Sequence, residues 1–315
     1  MERSAPKGSA KRRWGRFLEA YSSKSARKEI LFAGALLLPA LVILVLVIFY
    51  PLVQALLLSF KDAGLLNTAN APFAGLDNFR KLFGDPTFWT AALNTLILTV
   101  VSIIVCLALG MSLALALNEN IPFKNFFRGI ALIPWVLPGV VVGLLALYVF
   151  NSQVGIVNYV LAQLGITDGF MNWFGSTSNA LWAVILLNIW NQTPFYMLMI
   201  LAGLQTVPTD EYDAAKIDGA SAFQRFRYVT LPNIKGVITI VIALQVFWCV
   251  NLFDPIWMTT QGGPVNSTTT LTIYVYRQAF EDLNIGYASA IGVVTLVALL
   301  AFSVFFIRAM EGEEE

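Results

Sequence analysis

Long apolar runs separated by short polar segments organise this chain. Six of them reach the roughly 20 residues that a helix needs to cross a bilayer core: 30–59, 91–117, 130–150, 180–204, 237–258 and 285–307. Asp254, near the end of the fifth, is the one charge inside them. Runs this long and this free of charge exceed what a soluble helical core contains. The pattern therefore predicts an all-α membrane protein with six transmembrane helices.

The polar segments are equally patterned, and the one at 207–235 stands out because it reads as two short helices between two membrane spans. Asp210, Glu211 and Asp213 fall in the first turn of the first helix, where negative charge suits the helix dipole. Gly219 follows its last turn at the place of a left-handed cap. Ser221 with Gln224 three residues later forms the pattern of a capping box for the second helix. Phe223 and Phe226 mark one apolar face there, and Pro232 is expected to end the element.

Composition reaches the membrane by a second route. Apolar residues make up 57% of the 315 and charged residues 12%, about half the roughly 25% of soluble domains. Basic residues of short loops remain on the cytoplasmic side, and with both termini inside, all but Lys61, Arg80, Lys81 and Arg277 of the 20 Lys and Arg are cytoplasmic. That assignment also puts the 207–235 segment in the cytoplasm. At the N-terminus a polar basic stretch precedes the first span without a cleavage pattern, so no cleaved signal peptide is expected. Trp14, Phe17, Leu18 and Tyr21 suit a helix lying in the cytoplasmic headgroup region; a disordered basic tail is the competing reading. Glu311 and Glu313 to Glu315 form a short acidic tail.

Several chemistries are missing. The chain has no histidine, and its two cysteines, Cys106 and Cys249, lie in apolar runs, which removes imidazole catalysis, Ser-His-Asp triads and most zinc sites. No glycine-rich segment ends in Gly-Lys-Ser/Thr, so ATP phosphates have no Walker A cradle here. Nor do the spans carry the acids or arginine ladders by which proton- or voltage-coupled proteins take up energy. Energy is expected to come from another polypeptide. The polar groups left at membrane depth are neutral: Asn188, Asn191 and Gln192 with Trp190 and Phe195 in the fourth run, Gln245 with Trp248 and Asn251 in the fifth. Amides exchange hydrogen bonds with sugar hydroxyls and aromatic faces cover the apolar face of a pyranose; alternatively, such amides bond neighbouring helices. Pro194 is placed to kink the fourth run and turn extra side chains toward a cavity, and Pro39, Pro134 and Pro138 invite the same reading.

The segment Asp213-Ala214-Ala215, Gly219, Leu231-Pro232 resembles the Glu-Ala-Ala, Gly, Leu-Pro signature of the membrane subunits of binding-protein-dependent ABC importers. Tyr50-Pro51, Leu76-Asp77-Asn78-Phe79, Leu132-Ile133-Pro134, Asn188-Ile189-Trp190 and Gln261-Gly262-Gly263-Pro264 extend the resemblance to the maltose-type sugar permeases over nearly the whole chain. Two departures are Asp213 in place of the usual glutamate and Gly236 where a second proline is common. The resemblance implies the ABC type I importer permease fold, a multi-pass protein of the prokaryotic cytoplasmic (inner) membrane, and ATP-driven sugar or oligosaccharide import by alternating access. It implies a substrate site at Asn188, Asn191, Gln192, Phe195, Gln245, Trp248, Cys249 and Leu252, to which the residue pattern adds Asn251. It implies ATPase coupling through Asp213, Ala214, Ala215, Asp218, Gly219, Phe223, Phe226, Leu231 and Pro232.

The expected partners are a second permease subunit, two cytoplasmic ATPase subunits that hold the ATP and Mg, an extracytoplasmic solute-binding protein, a sugar and the lipid bilayer, with no nucleic acid and no cofactor or metal on this chain. The domain organisation expected is a basic cytoplasmic segment 1–29, a permease domain 30–308 and a tail 309–315. The outer segments 61–89, 151–179 and 259–283 are candidates for docking the binding protein, with Trp89, Trp173 and Trp182 in the interfacial belt. Alternatives are an ABC permease for a glycerol phosphate or another solute, disfavoured because an anion wants Arg or Lys in the cavity, and a secondary carrier or channel working alone.

Overall fold

The computed structural model describes residues 24–167 and 171–311. The expected interfacial helix around Trp14, Phe17, Leu18 and Tyr21 and the residues Glu313 to Glu315 lie outside the described residues. Among those described, every regular element is helical, and extended pairing is confined to the isolated bridges Lys61–Phe73 and Gly64–Asn284. The chain separates into two compact units, one ending at Leu57 and one beginning at Leu58.

The described part of the first unit is helical: α1 (Lys24–Leu44), a π-helical turn (Val45–Phe49) and all but the last residue of α2 (Tyr50–Leu58). The wide turn closes with Tyr50 N–H on the Val45 carbonyl, just ahead of Pro51, whose ring removes a donor and crowds the preceding turn. The stretch Gly34–Leu58 has a mean hydropathy of 2.9 and none of it is buried. An apolar surface of that extent belongs in lipid.

The second unit is built on α4 (Pro86–Asn118) and α8 (Ala180–Leu204). Ser102 meets Asn188, Cys106 meets Thr193, and Gly110 lies under Tyr196, so the two helices run parallel. They cross closely because Gly110 has no side chain; a Cβ there would collide with Tyr196 and with the Met197 backbone. α11 (Leu231–Val250) runs antiparallel to α8, since Cys249 is near Asn188 while Val237 packs on Gly203. α8 is the hub: two-thirds of its apolar window is buried, against 11% for α14 (Ile285–Glu311).

The third expected span, 130–150, is not one rod. α5 (Lys124–Val136) and α6 (Gly139–Val149) meet at a bend of 96° across Leu137-Pro138. Pro138 cannot continue a helix and keeps Leu137 extended. α6 instead packs beside α12 (Asp254–Thr259), where Gly139 touches Asp254 and Gly143 touches Met258. The fifth expected span, 237–258, is also divided: α11 ends at Val250 and α12 restarts at Asp254, the acid that opens its first turn. Among the described residues five helical stretches are long and apolar enough to cross a bilayer: Gly34–Leu58, Pro86–Asn118, Ala180–Leu204, Ala222–Thr259 and Ile285–Arg308. Counting the bent α5–α6 pair as one span makes six.

The remaining α-helices described in this unit are α3 (Asp77–Phe83), α7 (Ile156–Gln163), α9 (Thr209–Ile217), α10 (Ala222–Arg225) and α13 (Leu271–Tyr276). Polar segments tie these elements to the spans. Asn94 on α4 donates to the carbonyls of Asn266 and Thr269, and Thr95 accepts from the Leu271 backbone, which holds the fully buried Thr268 to Thr270 against the helix. Asp85 caps α4 by accepting from the Thr87 N–H at 2.8 Å. It also accepts from the hydroxyls of Tyr274 on α13 and Tyr287 on α14.

Candidate functional site

Two clusters carry the residues singled out by sequence. The first lies where α4, α8 and α11 meet. Asn188 is 3% exposed; its amide donates to Ser102 Oγ at 2.9 Å and to Cys249 Sγ at 3.6 Å. Gln245, fully buried, donates to the same sulfur at 3.3 Å, and its Oε1 has no partner. One turn along α8, Asn191 donates to the Pro134 carbonyl at 2.6 Å and accepts from Gln192 at 2.8 Å, while Gln192 Oε1 is buried without a partner. A buried acceptor left unmade costs about 1–3 kcal/mol, so each of these two oxygens marks capacity for a hydroxyl or water.

Aromatic rings border these amides. Phe195 is buried between Trp135, with ring centroids 5.6 Å apart, and Trp248, at 4.7 Å and edge-on. Trp248 leaves 37% of its surface open. Asn251 turns away, donating to its own helix at the Phe247 carbonyl, and Leu252 packs on the core. Pro194 sits inside an otherwise continuous α8, so it does not break the helix. Asn191 bonds α5 through the Pro134 carbonyl, whereas Asn188 bonds α4 and α11.

The second cluster is the polar segment after α8. α9 ends in a Schellman closure: Ala220 N–H bonds the Ala215 carbonyl at 2.9 Å, Gly219 N–H bonds Lys216, and Gly219 has φ +76°. Ala214 accepts from the Asp218 N–H. α10 opens with the full capping box, Ser221 N–H on Gln224 Oε1 at 2.7 Å and Gln224 N–H on Ser221 Oγ at 3.3 Å. Pro232 does not end the element. The helix widens into a π-helical turn (Phe226–Thr230) and continues as α11 with Pro232 in its first turn, where a missing N–H is tolerated.

This pair of short helices is braced at one side and bare at the other. Tyr212 reaches the buried Thr230 hydroxyl at 3.0 Å, and Asn233 bonds Glu211 at 2.7 Å, so the α9 backbone is fastened to the start of α11. Phe226 and Leu231 are half-buried, whereas Phe223, Ile217 and Tyr228 are largely exposed. Asp213 pairs with Lys216 at 2.8 Å, both more than half exposed, a pairing worth little in water.

Residues 106–311 match the family described as "Binding-protein-dependent transport system inner membrane component", well over half the chain. The chain belongs to that family. It is 37% identical over 304 residues to the sulfoquinovosyl glycerol transport system permease protein SmoG of Agrobacterium fabrum, a match covering 96% of this chain and 95% of the relative. It is 33% identical over 288 residues to the trehalose/maltose transport system permease protein MalF of Thermococcus litoralis, covering 91% and 96%. In fold it is similar to a chain of a bacterial ABC transporter that imports the acidic polysaccharide alginate, with a TM-score of 0.77 at 22% identity over 93% of this chain and 98% of that one. The fold is thus that of an ABC type I permease, and the protein is a multi-pass inner-membrane component rather than the catalytic subunit of its transport system.

Within this permease component the matched region takes in α8 through α11 and begins just after Ser102 on α4. A separate cavity of about 400 Å³ between α6 and α8 is lined by Leu145, Ala146, Val149, Phe150, Leu186, Leu187 and Trp190. Its walls are apolar, so it cannot satisfy a polyol. Among the described residues no group of His, Cys, Asp and Glu could hold a metal ion. Sequence reasoning missed Ser102, Trp135, Thr230 and Asn233. A usable signal existed for Ser102, which continues the stripe Thr95, Thr99 at helical spacing along an otherwise apolar run.

Proposed function

We propose that this chain is the permease subunit of an ATP-driven importer that moves a sugar or oligosaccharide across a prokaryotic cytoplasmic membrane by alternating access. It has six spans, counting the bent α5–α6 pair as the third, both termini in the cytoplasm, and a coupling segment 207–235 on the same side. A basic segment 1–29, a permease domain 30–308 and a tail 309–315 make up its domains. Its partners are a second permease subunit, two ATPase subunits carrying ATP and Mg, and an extracytoplasmic solute-binding protein. The family's dependence on a binding protein and the sugars named for the similar SmoG and MalF permeases support this reading.

The observation that carries the sugar assignment is the α8–α11 cluster, in which Asn188, Asn191, Gln192 and Gln245 are neutral, Phe195 and Trp248 pair edge-on, and two amide oxygens lack partners. Neutral amides suit hydroxyls, and the cluster holds no cation for a phosphate. With Cys249, Asn251 and Leu252 these residues form the proposed substrate site. ATP binding closes the ATPases. The closure moves α9 and α10 through Asp213, Ala214, Ala215, Asp218, Gly219, Phe223 and Phe226, and Leu231 with Pro232 passes the motion into α11, so that the substrate site opens outward; hydrolysis returns it inward.

Uptake of radiolabelled maltose and trehalose into proteoliposomes tests this. The assembled system should accumulate one of them, and omitting the ATPases or the binding protein should reduce uptake to background. Sugar flux through the purified chain alone would overturn the proposal.

A further inference from the structure

Hydroxyl side chains inside the spans of this protein mostly look after themselves. Thr95, Thr99, Ser112, Thr295 and Ser303 each bond the carbonyl four residues earlier on their own helix, at 2.7 to 2.9 Å. Ser102 differs. It is fully buried on α4 and accepts a hydrogen bond from Asn188 of α8, 86 residues away, at 2.9 Å.

The same Asn188 amide donates to Cys249 Sγ on α11, which also accepts from Gln245. Three helices therefore close around one amide nitrogen, and both of its protons are spent within the protein. A sugar hydroxyl that is to accept from the Asn188 amide nitrogen must first displace one of these partners. Ser102 Oγ is chemically the same group as that hydroxyl, with one donor and two acceptor positions. Exchanging one for the other keeps the number of hydrogen bonds donated by the Asn188 nitrogen constant, so the swap avoids the desolvation penalty of a bare buried amide.

We propose that Ser102 is a stand-in ligand: its hydroxyl occupies the sugar's place on Asn188 and holds α4, α8 and α11 together until a substrate hydroxyl replaces it. The proposal rests on the sugar-import reading given above, and it adds α4, which that site did not include. Ser102 acts through Asn188 and is a positioning residue. Removing its hydroxyl favours the open arrangement by about the worth of one net hydrogen bond, a factor of roughly two to ten in the population of the substrate-ready state.

Cys249 reports the clasp directly, because the residue is 1% exposed and its sulfur lies at the same junction. In the assembled transporter without sugar, its modification by a small anionic methanethiosulfonate, located by mass spectrometry, should run about two- to tenfold faster in Ser102→Ala. Ser102→Thr, which keeps the hydroxyl, should match the wild type. Maltose and trehalose uptake supplies the second readout: Ser102→Ala should lower KM by a similar factor with kcat little changed. Equal thiol reactivity in wild type and Ser102→Ala overturns the proposal, as does faster reactivity with unchanged KM. A wild-type system that takes up neither sugar counts instead against the import reading, and differs because the defect is then present without any substitution.

Discussion

The carboxylate of Asp85 has several tasks at one point. It caps α4 through Thr87 and collects the hydroxyls of Tyr274 and Tyr287, joining the start of α4 to α13 and α14. Partial burial pushes its pKa up, but the hydrogen bonds from Tyr274, Tyr287 and Thr87 favour the ionised form and win, so its pKa lies below the ordinary 3.8. A depressed folded-state pKa gives stability that is complete above the ordinary aspartate range and is lost as pH falls through the folded value. Asp85→Asn should therefore lower the Tm of the detergent-solubilised protein at pH 5 to 8 by a constant margin, and the margin should shrink below pH 3.8. A margin that changes between pH 5 and 8 would mean that another group titrates there.

Helix ends were legible because their determinants are local. Gly219, Ser221 and Gln224 lie within six residues of each other, and the closure and capping box they predict are both present. Pro232 was misread because a proline one turn into a helix and a proline ending one look alike in sequence; the π-helical turn before it shows which applies. The bend between α5 and α6 was hidden for a different reason. Pro134 and Pro138 are visible, but the 96° angle depends on Gly139 and Gly143 seating against Asp254 and Met258, more than 100 residues on. Asn188 was equally undecidable, since its partners Ser102 and Cys249 come from two other helices.

At the same scale, α9 should depend on its brace to α11. Tyr212→Phe loses the Thr230 bond and should cost hydrogen-exchange protection over Thr209–Ile217 by no more than about tenfold, one net hydrogen bond. Tyr212→Ala also loses the ring's packing on the core and should leave those amides close to unprotected, with α10 still guarded by its own capping box. Equal protection in wild type and Tyr212→Ala would show that the brace contributes nothing.

On the scale of the whole molecule, the described spans hold no ionisable relay to take up energy, and the matched family works with a separate binding protein. What the chain presents instead is a stiff pair of short helices, capped at the turn between them, fastened to α11 on one side and exposed on the other. Motion of that pair is the proposed input, and the α8–α11 cluster is the proposed output.

Gly219 tests the link between the two. Its φ of +76° is open to glycine, and a Cβ there meets no neighbouring atom within 4 Å, so Gly219→Val is expected to strain the backbone turn by about 1–2 kcal/mol rather than the core. The decisive measurement is ATP hydrolysis and sugar uptake recorded together in proteoliposomes carrying the Gly219→Val transporter. Continued hydrolysis with uptake reduced at least tenfold is the predicted result; uptake equal to the wild type at equal hydrolysis would contradict the account.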